Sequence, residues 1–155
     1  MKRVLLVTIL LVAMGVSVLG QNRDVEVKEF FKAYDAAFNS KDLAKVANFY
    51  HPDVTIFEGA GINRGWVDYR DNHLGPELRT FQDLQFAHSN IVVHALGESS
   101  AYVTADYSIK YKTGERNVDG GGIATHILVR EQGTWKIRHS HTASRRAPPR
   151  GGSGQ

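Results

Sequence analysis

The chain has 155 residues, of which 42% are hydrophobic and 23% charged, enough for one domain with a modest core. It has no cysteine, which excludes a disulfide framework, a thiol nucleophile and a cysteine-held zinc site. The net charge is +3, but Lys2 and Arg3 supply two of those charges, and the basic cluster of Arg145, Arg146 and Arg150 sits in a Pro/Gly-rich tail, so no basic face suited to nucleic acid is expected.

Residues 1–20 read as an export signal: Lys2 and Arg3, an apolar run from Val4 to Met14, then Val18-Leu19-Gly20 before the polar Gln21. The rival reading, a membrane anchor, has only Val4 to Gly20 to work with, at the lower limit for a bilayer span. Cleavage leaves 135 of the 155 residues with a net charge of +1, since no acidic residue is lost. The mature protein is therefore expected outside the cytoplasm and free of the membrane, in a periplasm or secreted.

A helix is predicted over 24–39, where Val27, Phe30, Phe31, Tyr34, Ala37 and Phe38 recur at three- and four-residue steps. Asp42 caps a second helix over 43–50. His51-Pro52-Asp53 reads as a turn, Val54 to Glu58 as a short strand and Gly59-Ala60-Gly61 as a loop. A third helix is expected over 65–74, with Trp66, Tyr69, Arg70 and His73 on one side and Gly75-Pro76 interrupting it. From Leu84 the pattern turns to strand, near 84–96, 100–112, 121–131 and 134–143, with Gln132-Gly133 turning the last hairpin. Residues 145–155 offer nothing to bury and are expected to be a disordered tail.

Helices followed by long strands predict an α+β domain with helices on one face of an antiparallel sheet. Three stretches resemble the nuclear transport factor 2-like superfamily, also called SnoaL-like or ketosteroid-isomerase-like. They are Phe38-Asn-Ser-Lys-Asp42 through Phe49-Tyr-His-Pro-Asp53, then Gly65-Trp-Val-Asp-Tyr-Arg-Asp-Asn-His73 through Leu78, and Gly133-Thr-Trp-Lys-Ile-Arg-His-Ser-His141. The last is similar to the closing strand of the calcium/calmodulin-dependent protein kinase II association domain. The resemblance spans about 24–144. It implies a cone: a bent antiparallel sheet wrapped around three N-terminal helices, with a pocket at one end. It does not fix an activity, because the superfamily holds isomerases, dehydratases, cyclases and non-catalytic assembly modules. The carboxylate base, tyrosine and protonated acid of its steroid isomerases find no position-by-position match here.

The candidate chemistry is read from the polar residues. The last strand reads as carrying Trp135, Ile137, His139 and His141 on a single face, which would bring two imidazoles to the pocket mouth. His139 and His141 are the candidate proton shuttles. Glu58, at the end of the apolar face of Val54 and Ile56, is the candidate partner carboxylate. Candidate ligand-binding residues are Tyr34, Trp66, Tyr69, Arg70, His73, Glu77 and His126. His126 would join a metal-binding trio with His139 and His141 only if all three share a face, and a one-residue slip decides that. No phosphate loop or other cofactor signature is present, and no cofactor is expected. Two functions stand open: an exported small-molecule pocket protein with acid/base catalysis, or a non-catalytic binding or oligomerisation module. A homodimer or larger homo-oligomer is expected under either, built on the sheet.

Overall fold

A computed structural model describes residues 22–145. The export signal, and the tail beyond Arg145, lie outside the described residues. Helix α1 spans 22–39 and buries Val27, Phe31, Tyr34 and Phe38, the stripe its spacing predicts. It stops where Lys41 turns left-handed (φ 57°) and donates its ammonium to the Phe81 carbonyl at 2.6 Å. Asp42 then caps α2 (Leu43–Ala47), its Oδ1 accepting the N–H groups of Ala44 and Lys45 at 3.0 and 3.2 Å.

The third helical segment is longer than expected. It starts as α3 (Trp66–Tyr69), passes through a π-helical turn (Arg70–Leu74) and continues as α4 (Gly75–Thr80). Gly75-Pro76 does not interrupt it. The wider π turn makes room for the proline, whose ring would otherwise meet the carbonyl four residues earlier. Gly75 is needed for the same reason, since a Cβ there would lie 2.5 Å from the Arg70 carbonyl oxygen.

Six strands form one sheet in the order β2-β1-β6-β5-β4-β3. They are β1 (Tyr50–Glu58), β2 (Gly61–Arg64), β3 (Gln82–Ala95), β4 (Ser100–Thr113), β5 (Arg116–Glu131) and β6 (Thr134–Ser144). The architecture is the expected α+β one, with one difference. The sheet is mixed, because β1 runs parallel to β6 while every other pair is antiparallel. β1 also starts earlier than expected and takes in His51-Pro52-Asp53 across an irregular register. Gly59-Ala60 is the tip of a hairpin into β2, which the sequence reading placed in a loop.

Bulges set which residues face the helices. Asp83 and Asn90 sit at the two register shifts of β3 with φ of 52° and 51°, a conformation short polar side chains tolerate. On β6, Leu128 of β5 lies opposite Ile137, and Ile127 opposite His139. Arg138 is therefore the extra residue. Trp135 and Ile137 face the core before the bulge, and Ser140, Thr142 and Ser144 face inward after it. The inner face packs Val103, Leu128, Trp135 and Ile137 against Val27, Phe31, Val46, Leu74 and Leu78 of the helices.

Candidate functional site

Where the core packing ends, the inner face of the sheet and the helices enclose a cavity of about 300 Å³. That is about twice the roughly 150 Å³ void that accepts benzene in an engineered core. Tyr34, Phe38, Phe81, Phe86, Tyr107 and Tyr111 give it aromatic walls, and its polar groups include Glu58, Glu77, His88, His126 and Thr142, with Ser140, Ser144 and Arg145 also in the lining. Aromatic walls with a few convergent polar groups are the usual lining of a small-molecule site.

At one side stands a pair that the sequence reading did not single out. His88 of β3 is bonded through Nδ1 to Asp35 Oδ1 of α1 at 2.7 Å, and its backbone N–H donates to Asp35 Oδ2 at 2.8 Å. The His88 side chain is 2% exposed and that of Asp35 15%. A carboxylate oxygen accepts, so Nδ1 donates and Nε2 is left as the proton acceptor of the neutral ring. The geometry fixes tautomer and orientation together. Two sequence signals point to it: His88 alternates with Leu84 and Phe86 on an apolar strand face, and Asp35 lies beside Tyr34 on the buried stripe of α1.

Three phenols line the adjoining wall. The hydroxyls of Tyr34 and Tyr50 are 2.7 Å apart, and the Tyr69 ring lies 5.7 Å from that of Tyr50. Burial pushes all three hydroxyls above the ordinary tyrosine value, and for Tyr34 and Tyr69 the neighbouring Tyr50 raises them further. They stay protonated and act as hydrogen-bond donors. Tyr50, expected at a helix end, owes its place to the early start of β1.

Glu58 and Glu77 line the cavity from β1 and α4, with His73 of the π turn between them. His73 Nδ1 donates to Asn63 Oδ1 at 2.8 Å, and Nε2 stands 3.4 Å from Glu77 and 3.8 Å from Glu58. The Asn63 amide is itself turned by its bond to Asp68. Burial raises the Glu77 carboxyl above its usual range and the Glu58 charge adds to this, while His73 works against both.

His126 is buried on the inner face of β5, opposite Ser140, with rings of Phe31 and His88 at 5.0 and 5.3 Å. Neither of its nitrogens has a protein hydrogen-bond partner, and the same holds for Thr142 Oγ1. Burial, with help from His88 and His139, pushes His126 down to about 3, so the ring is neutral.

His139 and His141 stand elsewhere. The bulge at Arg138 turns both to the outer face of the sheet, so the single face expected for Trp135 through His141 is broken. There they pack against Phe57, at 5.1 and 6.2 Å between rings, and His139 Nδ1 meets the Thr55 hydroxyl at 2.7 Å. Burial and the neighbouring His141 lower the His139 imidazole from its usual value. The three imidazoles do not converge, and among the described residues no three His, Asp or Glu side chains are arranged to hold a metal ion. Of the other expected residues, Tyr34, Tyr69, Glu58, Glu77 and His126 line the cavity. Trp66 stacks behind Tyr50 at 5.2 Å, and Arg70 turns outward to pair with Asp71 at 2.6 Å.

The comparisons with known proteins agree with this fold. The family model described as the SnoaL-like domain matches residues 27–144. No curated protein sequence matches the chain. Among solved structures, a protein from Novosphingobium aromaticivorans assigned as a scytalone dehydratase is similar, with a TM-score of 0.76 at 15% identity. That match covers 84% of this chain and 89% of that one. A protein from Xanthomonas campestris assigned as a calcium/calmodulin-dependent protein kinase II association domain has a TM-score of 0.68 at 20% identity, covering 77% and 86%. A type 2 hexachlorocyclohexane dehydrochlorinase has a TM-score of 0.70 at 14% identity, covering 86% and 98%. At these identities the likeness is one of fold.

Proposed function

The chain belongs to the SnoaL-like domain family, and from that premise we propose that it is an acid/base enzyme of the lyase type, acting on a small cyclic molecule. The observation that carries the reading is the buried Asp35–His88 pair in the wall of an aromatic cavity. The side chains needed for an elimination are present. His88 Nε2 takes a proton from a carbon of the substrate, and the electron pair left behind forms the new double bond. The leaving group on the neighbouring carbon departs with its bonding pair, and an oxygen leaving group takes up a proton from Glu77. Asp35 holds the His88 ring and offsets the positive charge it gains. Of the hydrogen-bonded phenols Tyr34 and Tyr50, one donates to the other, and the second donates its proton to the oxygen on which negative charge develops. A dehydratase assignment and a dehydrochlorinase, both names of eliminations, among proteins of similar fold support the choice of lyase over isomerase or cyclase.

The test is turnover of one- and two-ring β-hydroxyketones, followed by the absorbance of the conjugated product. Wild type is expected to convert at least one, and Asp35→Asn and His88→Gln to lower kcat by about 10²–10⁴. Variants that turn over as fast as wild type, or a panel left untouched, would overturn the reading.

The same protein is read as an exported homodimer. The outer sheet face carries exposed Val92, Ile123 and Ile127 beside His139 and His141, an apolar surface that a second copy would cover. Sedimentation is expected to show a dimer that Ile127→Asp converts to monomer; a wild-type monomer would contradict it.

A further inference from the structure

Most buried polar atoms in a folded protein have a partner. The described residues leave three side-chain atoms without one, both nitrogens of His126 and Oγ1 of Thr142. All three belong to the lining of one cavity. They also lie side by side on the sheet. His126 is opposite Ser140, which places Thr142 on its diagonal, about 7–8 Å away between Cα atoms. An imidazole and a hydroxyl so placed, with nothing from the protein to satisfy them, match a ligand with polar groups on one edge.

We infer that His126 and Thr142 form a hydrogen-bonding strip that selects a ring carrying oxygen substituents over a halogenated ring of similar shape. The inference deepens the lyase reading and rests on the cavity being its substrate site. The neutral His126 ring offers one N–H and one lone pair, and the threonine hydroxyl offers both roles as well. A hydroxyl or carbonyl on the ligand satisfies them; a carbon–chlorine bond or a bare ring edge leaves them desolvated and unpaired, which weakens binding. Of the two elimination chemistries named among proteins of similar fold, the strip favours loss of water over loss of chloride.

Binding alone tests this, with 2-naphthol and 2-chloronaphthalene as the matched probes, titrated by fluorescence. Wild type is expected to bind 2-naphthol about tenfold tighter or better, the effect of one buried hydrogen bond. His126→Leu is expected to erase most of that preference, and His126→Gln, which keeps a donor and an acceptor, to retain part of it. The Leu variant should unfold at a higher temperature than wild type, because it removes a buried polar group that has no partner; a role in core packing alone would lower it. Thr142→Val removes only a hydroxyl and gives a second measure of the strip. Equal binding of the two probes by wild type, a preference untouched in His126→Leu, or binding of neither probe would overturn the inference. His88→Gln is expected to keep the preference while losing turnover. A naphthol preference that His126→Leu abolishes supports the strip even if no elimination is found, so the two readings fail separately.

Discussion

His126 shows how one side chain couples the site to stability. In the unfolded chain an imidazole takes up its proton near pH 6.5. In the folded protein burial holds His126 down to about 3, so between these values the unfolded state binds the extra proton. Stability therefore rises with pH across that window and falls as pH drops from 6.5 towards 3, with a limiting slope of about 1.4 kcal/mol per pH unit for one group. His139, lowered in the same direction on the outer face, adds to the fall. Urea unfolding at pH 7, 6 and 5 is expected to show wild type losing stability faster than His126→Leu as the pH falls. Parallel losses in the two proteins would mean that His126 is charged, or solvated, in the native state. The depressed carboxyls of Asp42 and Asp68 act only at lower pH, below the ordinary carboxylate range, and are common to both proteins.

At the scale of elements, the sequence carries the fold better than it carries the site. The stripe of α1 and the long alternating strands are set by burial of many residues at once, so their periodicity is plain in the chain. The site depends on irregularities that each involve one residue. The bulge at Arg138 leaves no mark in the alternation Trp135, Ile137, His139, His141, yet it exchanges the faces of everything after it. Inward-facing Ser140 and Thr142 follow from that one insertion, as does the outward turn of both histidines. The π turn acts likewise on the third helix. It keeps His73 and Glu77 on one helical path despite Gly75-Pro76, and so brings both to Glu58. Asn90 and Asp83 show how such irregularities can be read, because a short polar residue inside a strand pattern tolerates the positive φ of a bulge. Arg138 carries no comparable mark. The Asp35–His88 pair was legible in part, as a carboxylate and an imidazole on two apolar faces, but their meeting depends on how α1 lies across β3.

Over the whole molecule, the cavity is a composite of α1, α3, α4 and five of the six strands, with the parallel β1–β6 pair contributing from both of its members. That pairing brings Glu58 alongside Thr142, and the antiparallel ladder carries the row on to Ala124 and Ala105. A carboxylate cluster, a phenol wall, an orphaned imidazole and a carboxylate-held histidine thus share one enclosure although they are spread from residue 34 to residue 126. The central claim is that Asp35 holds His88 with Nδ1 protonated and Nε2 free to accept a proton. Long-range ¹H–¹⁵N NMR of the imidazoles, followed to high pH, reads this directly without any substrate. The account predicts an Nδ1–H tautomer for His88 in wild type, lost or mixed in Asp35→Asn; an Nε2–H tautomer for His88 in wild type would contradict it.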